Sequence, residues 1–524
     1  MDGERAERPR ASRIGAAALL LAASVLLSRL LGYAREALLA YQVGAGASTD
    51  AYYAAFQIPD LLNQLLAAGA FSIAFLPLYT RHLAADDAAG ADRLLATVLG
   101  TLSAVAVAAT AVLWWYAEPL VALQFPRFDA ATQATTVRLT RIVLPAQVFF
   151  IAGGIINATL FAHGRFGAAA LAPLIYNGAI IAGGLLLAPR LGQEVEGFAW
   201  GALAGAVAGP FLAPLLAARG RIRLGWRVAP ADRAFLGYLL IAAPLIFGQT
   251  LLTVDEWYGR WFGALLGTGA VSYLSYARRL MQVPVAVVGQ AVAAAALPTL
   301  SRLYAEGRHA ELNAVVLRTL QAVLALAVVA GAGCFALAEP LVQVVYERGR
   351  FGAADSAAVA GVLALLCLAV PAWIAQQIAV RAFYARADTW RPMLLGTVVS
   401  LAVIPLYLGL GHAYGVRGLA LASALGMSVN ALATLALARW LHGAPPLGAL
   451  AATTARATAV ALVAALVVRW GLPTAAAGWE ALGALLGGAA VFAVLVGLGA
   501  WASGDRLLQE LLLRLTRRLR RRGI

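Results

Sequence analysis

Lysine is absent. All forty basic residues of this 524-residue chain are arginine, so a phosphate-cradling loop of the GxxxxGK[ST] type cannot form and nucleotide hydrolysis by that route is excluded. Cysteine is nearly absent too. Cys334 and Cys367 each sit in an apolar run with no partner at disulfide or metal spacing, and both read as packing residues. The five histidines, His82, His163, His309, His412 and His442, are scattered over segment ends and loops. They form no ligand cluster, and neither a metal nor a cofactor is expected. The chain also lacks a GxSxG elbow, an HExxH pair, a Cys-x-x-Cys pair and a GxGxxG after a strand, so an enzyme is not expected.

Charge is scarce. Charged residues make up 12% of the chain and hydrophobic ones 62%, against about 25% charged in soluble proteins, and the mean hydropathy is +0.80. The fold class is therefore an all-α polytopic membrane protein. Windows of about 20 apolar residues give about fourteen transmembrane spans, centred near residues 27, 65, 104, 149, 178, 208, 248, 285, 325, 370, 401, 428, 461 and 491. Arg5, Arg8, Arg10 and Arg13 precede the first apolar run as in a signal peptide, but Arg29 and Arg35 follow without a convincing cleavage site. An uncleaved first helix is predicted.

Orientation follows from arginine. The N-terminal cluster, the group Arg219, Arg221, Arg223, Arg227 and Arg233, the pairs Arg302/Arg308 and Arg386/Arg391, and the C-terminal cluster all fall on one side of this topology. The positive-inside rule makes that side cytoplasmic, with both termini there. The same placement accounts for the net charge of +15 without a nucleic-acid partner. The tail DRLLQELLLRLTRRLRRRGI reads as a basic amphipathic helix on the anionic lipids of the inner leaflet, each cation adding about 1 kcal/mol.

The chain repeats itself. Leu76-Pro77 with Arg81 recurs as Leu297-Pro298 with Arg302, and at the same offset AEPLV at Ala117–Val121 recurs at Ala338–Val342 and Gly46 is matched by Gly267. An offset that holds six spans predicts two pseudo-symmetric six-helix lobes followed by two extra C-terminal helices, with binding sites between the halves. The expected divisions are a basic cytoplasmic N-terminus (1–13), an N-lobe (14–218), a basic linker (219–233), a C-lobe (234–441), spans 13 and 14 (442–503) and the basic tail (504–524).

The stretch Ser28–Arg81 puts Arg29, Arg35, Glu36, Asp50 and Asp60 in or beside apolar spans, where an ionisable group at the bilayer centre costs roughly 2.5 to 3.5 kcal/mol. Arg29 and Glu36, seven positions apart, share a helix face, and Arg35 lies about a third of a turn from Arg29. Either this helix bends at Gly32 or it borders a hydrated cavity. In the second half Asp255, Glu256 and Arg260 belong to span 7, and Arg278, Arg279, Gln282 and Gln290 to span 8. Mutual pairing or snorkelling is one account of these charges, above all of Arg278, Asp60 and Arg260. The excess of guanidinium at Arg29, Arg35 and Arg279 points instead to an anionic ligand, and arginine forks suit phosphate or pyrophosphate.

Four strings, SRLLGYARE (Ser28–Glu36), GAGASTDAYYAAFQIPDLL (Gly44–Leu62), GAFSIAFLPLYTR (Gly69–Arg81) and GTGAVSYLSYARRLMQVP (Gly267–Pro284), resemble the MurJ (MviN) family of lipid II flippases within the multidrug and polysaccharide exporter superfamily. With the spans and the repeat, the resemblance covers essentially the whole chain. It implies a two-lobed bundle in the bacterial cytoplasmic membrane. By alternating access, such a bundle moves lipid II, the undecaprenyl-pyrophosphate-linked peptidoglycan precursor, to the outer leaflet, with cell-wall synthesis proteins as further partners. It assigns the substrate to Arg29, Arg35, Arg279 and Asp50, and gives spans 13 and 14 the groove for the lipid tail. Asn63 stands where the family commonly has another arginine, and Ala68 where it has an acid. Glu36, Asp60, Asp255, Arg260, Arg278 and Gln282 are secondary candidates around the same cavity. The acid through which some members bind sodium falls at Gly259, with Asp255 one turn earlier, and Met393–Leu410 of span 11 has neither Asn nor Asp. The membrane potential, worth about 2.3 kcal/mol per charge per 100 mV, is then the expected driving force.

Three other readings compete. A paralogue that flips an O-antigen or capsule unit would tolerate Asn63 and Ala68. A cation-coupled drug antiporter of the superfamily should line its cavity with acids rather than arginine. A non-transporting scaffold acting through its basic tail would leave Arg29 and Arg279 without purpose.

Overall fold

The structure is a computed structural model that describes residues 4–67, 74–192, 194–247, 251–471, 478–503 and 509–510. Helices and turns make up the described residues, with no strand among them. The contacts divide the chain into two compact units, Met1–Phe247 and Gly248–Ile524.

The first unit is built from α1 (Glu4–Val43), α2 (Ala47–Ala55), α3 (Gln57–Ala67), α4 (Leu76–Ala84), α5 (Ala88–Trp115), α6 (Ala117–Gln124), α7 (Ala130–Val143), α8 (Ala146–Ala162), α9 (Gly167–Ala182), α10 (Ala188–Leu191), α11 (Glu194–Ala206), α12 (Ala213–Ala218) and α13 (Arg233–Phe247). Local chemistry sets the breaks. Gly44, at φ 81°, ends α1 in the left-handed conformation that glycine adopts without a Cβ penalty, and its N–H closes back on Ala40 O at 2.9 Å. Asp87 caps α5 by accepting from Gly90 N at 2.8 Å, and Asp129 caps α7 through Ala131 N and Thr132 N. The core packs Phe75, Tyr79, Leu94, Val98, Ile151, Ile155 and Phe235 together. Where α9 meets α11, small residues let the backbones touch: a Cβ at Gly201 would lie 2.6 Å from Ala179 O and 2.8 Å from Ile180 Cα.

The second unit comprises α14 (Leu251–Ala264), α15 (Ala270–Pro284), α16 (Ala291–Ala305), α17 (His309–Ala336), α18 (Ala338–Tyr346), α19 (Ala353–Cys367), α20 (Val370–Tyr384), α21 (Trp390–Ala402), α22 (Ile404–His442), α23 (Leu447–Gly471) and α24 (Trp479–Ala502). Gly415, with φ 59° and ψ −138°, breaks the continuous run of α22, so the apolar stretch Trp390–His442 serves two successive spans. Among the described residues eight helices are long and apolar enough to cross a membrane, and nine if α19 and α20, bent by 44°, make one. The span centres expected near residues 27 and 65 fall in α1 and α3.

The repeat is visible in the backbone. Helices α5 and α17 are both 28 residues long, are related at both ends by the offset that the sequence motifs show, and are each followed by a short AEPL helix. Even a detail recurs. Arg141 lies over the Trp114 ring at 5.0 Å and donates Nε to Trp114 O. At the repeat counterpart of Trp114, the Phe335 ring and carbonyl are held the same way by Arg469, at 4.8 and 2.8 Å. The first half draws this arginine from its own α7; the second takes it from α23, which packs Ala464, Ala465 and Val468 against Ala336 and Leu337.

Candidate functional site

In the first unit the charges of α1 meet Tyr53, in the second half of α2, and Asn177, in the middle of α9. Helix α1 continues through Gly32 without interruption, and a Cβ at Gly32 would find nothing within 4 Å. Arg35, whose side chain is 16% exposed, donates Nη2 to Glu36 Oε1 at 2.6 Å and Nη1 to Asn177 Oδ1 at 3.1 Å. Tyr53 OH donates to the other Glu36 oxygen at 2.5 Å. Asn177 is oriented by donating Nδ2 to Ser28 Oγ at 3.2 Å and Pro173 O at 3.1 Å. The chain thus holds one guanidinium in a fixed pose on a buried carboxylate. Arg29 and Asp60 remain partly exposed, and Asp50 is buried in the first turn of α2, the end of a helix that favours an anion. Asn63 is joined to Gln147 Oε1 at 2.8 Å. Ala68 lies outside the described residues.

The second unit closes its charges more tightly. Asp255, with 0% exposure, pairs with Arg278 and accepts hydrogen bonds from Tyr407 OH and, at 3.0 Å, from Ser423 Oγ. Tyr407 and Ser423 lie on opposite sides of the Gly415 break, so one carboxylate ties both parts of α22 to α14 and α15. Tyr407 is itself fixed by Tyr258 and Phe262, with ring centroids 5.2 and 5.5 Å away. A Cβ at Gly259 would lie 3.5 Å from Arg278 Nη2: the guanidinium sits beside the position at which the resemblance places a sodium-binding acid, with its charge already balanced. Arg260 pairs with Glu256 at 2.6 Å. Arg278 and Arg260 are each 6% exposed, whereas Arg279 and Gln282 stay partly exposed. No group of three or more His, Cys, Asp or Glu side chains suited to a metal occurs among the described residues.

Sequence reading found the arginines and acids but missed the neutral groups that hold them: Asn177, Tyr53, Ser28, Tyr407 and Ser423. Asn177, an amide inside an apolar span, was the one detectable signal, because a buried amide demands partners.

Comparison with known proteins places these observations. The family model for lipid II flippase MurJ matches residues 39–486. A lipid II flippase MurJ of Burkholderia cenocepacia is 30% identical over 439 residues, covering 79% of this chain and 82% of its own length. A probable lipid II flippase MurJ of Vibrio cholerae is 28% identical over 430 residues, 79% and 80% of the two chains. Among solved structures, a lipid II flippase MurJ in an inward closed conformation aligns with a TM-score of 0.78 at 22% identity, covering 92% of this chain and 99% of that one. An inward-facing multidrug transporter of the MATE family shares the fold at 0.67 and 15% identity, covering 82% of this chain and 98% of that one. On the match over residues 39–486, this chain belongs to the MurJ family of lipid II flippases.

Proposed function

We propose that the chain carries lipid II from the cytoplasmic to the outer leaflet of the bacterial inner membrane by alternating access, with both termini cytoplasmic. Arg29, Arg35 and Arg279 bind the pyrophosphate, and Asp50 and Asn63 contribute to substrate binding. The observation that carries this assignment is the division among the arginines. Arg260 and Arg278 are buried on acids, which is a structural use; Arg35, though paired with Glu36, keeps its side chain 16% exposed, and Arg29 and Arg279 are also partly exposed, in spans where exposure of charge to lipid is costly. Charge-assisted bonds of about 1.5 to 3 kcal/mol each suit them to a phosphate anion. The guanidinium of Arg278 beside Gly259 stands against sodium coupling there, and supports the membrane potential as the driving force. Anionic inner-leaflet lipids and cell-wall synthesis proteins are further partners in this reading.

Expression in a bacterium depleted of its own lipid II flippase tests it. Growth and cell shape are expected to recover with the wild type. If a well-inserted wild type fails and Asn63→Arg restores growth, the cargo is another polyprenyl-linked glycan and the lipid II assignment is wrong.

A further inference from the structure

A separate group of cationic side chains gathers where α16 leads into α17, α20 into α21, and α22 ends. A cavity of about 330 Å³ is lined there by Tyr304, His309, Asn313, Arg386, Arg391 and His442, with one acid, Asp388. Arg386 is held by two neutral acceptors, donating Nη1 to Ala382 O at 2.7 Å and Nη2 to Asn313 Oδ1 at 2.6 Å. Asn313 donates in turn to His442 O at 3.1 Å. The carboxylate of Asp388 is occupied by Arg391, through Nη1 at 3.1 Å and the backbone N–H at 3.2 Å. The nearby acids Glu306 and Glu311 are taken by Arg308. Among the described residues Arg386 therefore faces its cavity without an acid of its own, and burial holds its guanidinium below the usual arginine range. His442 Nε2 is buried with no hydrogen-bond partner among the described residues.

The repeat shows what has changed. At the offset that relates the halves, the counterpart of Arg386 is again an arginine, Arg165, but the counterpart of Asn313 is an acid, Asp92. The first half also caps α5 with Asp87, whereas the matching residue before α17 is Arg308, whose side chain makes no capping bond. At these two positions a carboxylate gives way to an amide and a cation, while Asp388 stands where the first half has Gly167, and the first turn of α17 contributes its positive end.

We propose that this cavity binds a phosphate group, with Arg386 and Arg391 as its forks and His309 and His442 as further donors. The volume suits a phosphate with a small polar substituent. The arginine distribution puts this end of the helices at the cytoplasmic surface, where such a group comes from a phospholipid headgroup or from a soluble phosphate compound.

The test uses the full-length protein in neutral detergent and follows thermal unfolding with added phosphatidylglycerol, glycerol 1-phosphate, inorganic phosphate or, as control, phosphatidylcholine. Asn313→Asp restores the acid of the first half without changing shape and pairs with Arg386; Arg386→Gln removes the cation. Stabilisation of the wild type by phosphatidylglycerol alone assigns a lipid headgroup, and stabilisation by glycerol 1-phosphate or phosphate as well assigns the soluble anion. In either case the apparent affinity should fall about tenfold or more in both variants, while unliganded Asn313→Asp unfolds at or above the wild-type temperature. Equal stabilisation of wild type and Asn313→Asp, or no stabilisation by any phosphate, overturns the proposal. Arg29→Ala should bind as the wild type does, which keeps this result separate from the transport reading.

Discussion

Arg278 and Arg279 are neighbours in sequence and differ in use. A helix turns about 100° per residue, so the first points into the second unit, onto Asp255, while the second keeps exposed surface. Sequence shows that both are costly in a span but not which is balanced, because the balancing groups come from other helices, Asp255 on α14 and Tyr407 and Ser423 on α22. Removing one member of a buried pair leaves an uncompensated charge and costs about 3 to 5 kcal/mol. Arg278→Met should therefore lower the unfolding temperature of the purified protein markedly, and adding Asp255→Asn should recover part of the loss. Arg279→Gln should change that temperature little. Equal losses in the two single variants would contradict the division.

At the scale of elements, helix type was legible from apolar run length, and boundaries only where local chemistry marks them. His412 and Arg417 flank the break at Gly415, and Gly44 opens the glycine-rich turn GAGAS. The turn at Phe56 that separates α2 from α3 has neither a glycine nor a capping side chain to announce it. The linker before α13 illustrates what composition concealed. Its arginines suggest only topology, yet Asp232 fastens it, capping α13 at Ala234 N, 2.9 Å, and bridging Arg93 and Arg227 at 3.1 and 3.2 Å. The Ala234 N–H, then Arg93, hold the Asp232 carboxyl below its ordinary value of 3.8. A depressed carboxylate stabilises the fold above its unfolded pKa, and the contribution is lost as pH falls through the folded value. Asp232→Asn should thus unfold at a lower temperature than the wild type at neutral pH. The gap should close below about pH 3.8; a gap that widens in acid would contradict this account.

For the whole molecule, the doubled architecture was legible because short motifs recur at one offset, and the matched helices α5 and α17 bear the offset out at both ends. What sequence could not show is where the halves diverge in use: the arginine over Phe335 borrowed from α23, and the cavity in which Arg386 is held by neutral acceptors. The central claim is that Arg29, Arg35 and Arg279 carry the pyrophosphate of lipid II across the membrane. The measurement that tests it most directly follows fluorescent lipid II in liposomes containing the purified protein, with an impermeant quencher reporting its arrival in the outer leaflet under an imposed potential. Transport is expected with the wild type and should fall about ten- to hundredfold in Arg29→Ala, Arg35→Ala and Arg279→Ala, the loss of one charge-assisted bond each. Wild-type rates in all three variants, at matched insertion, would contradict it.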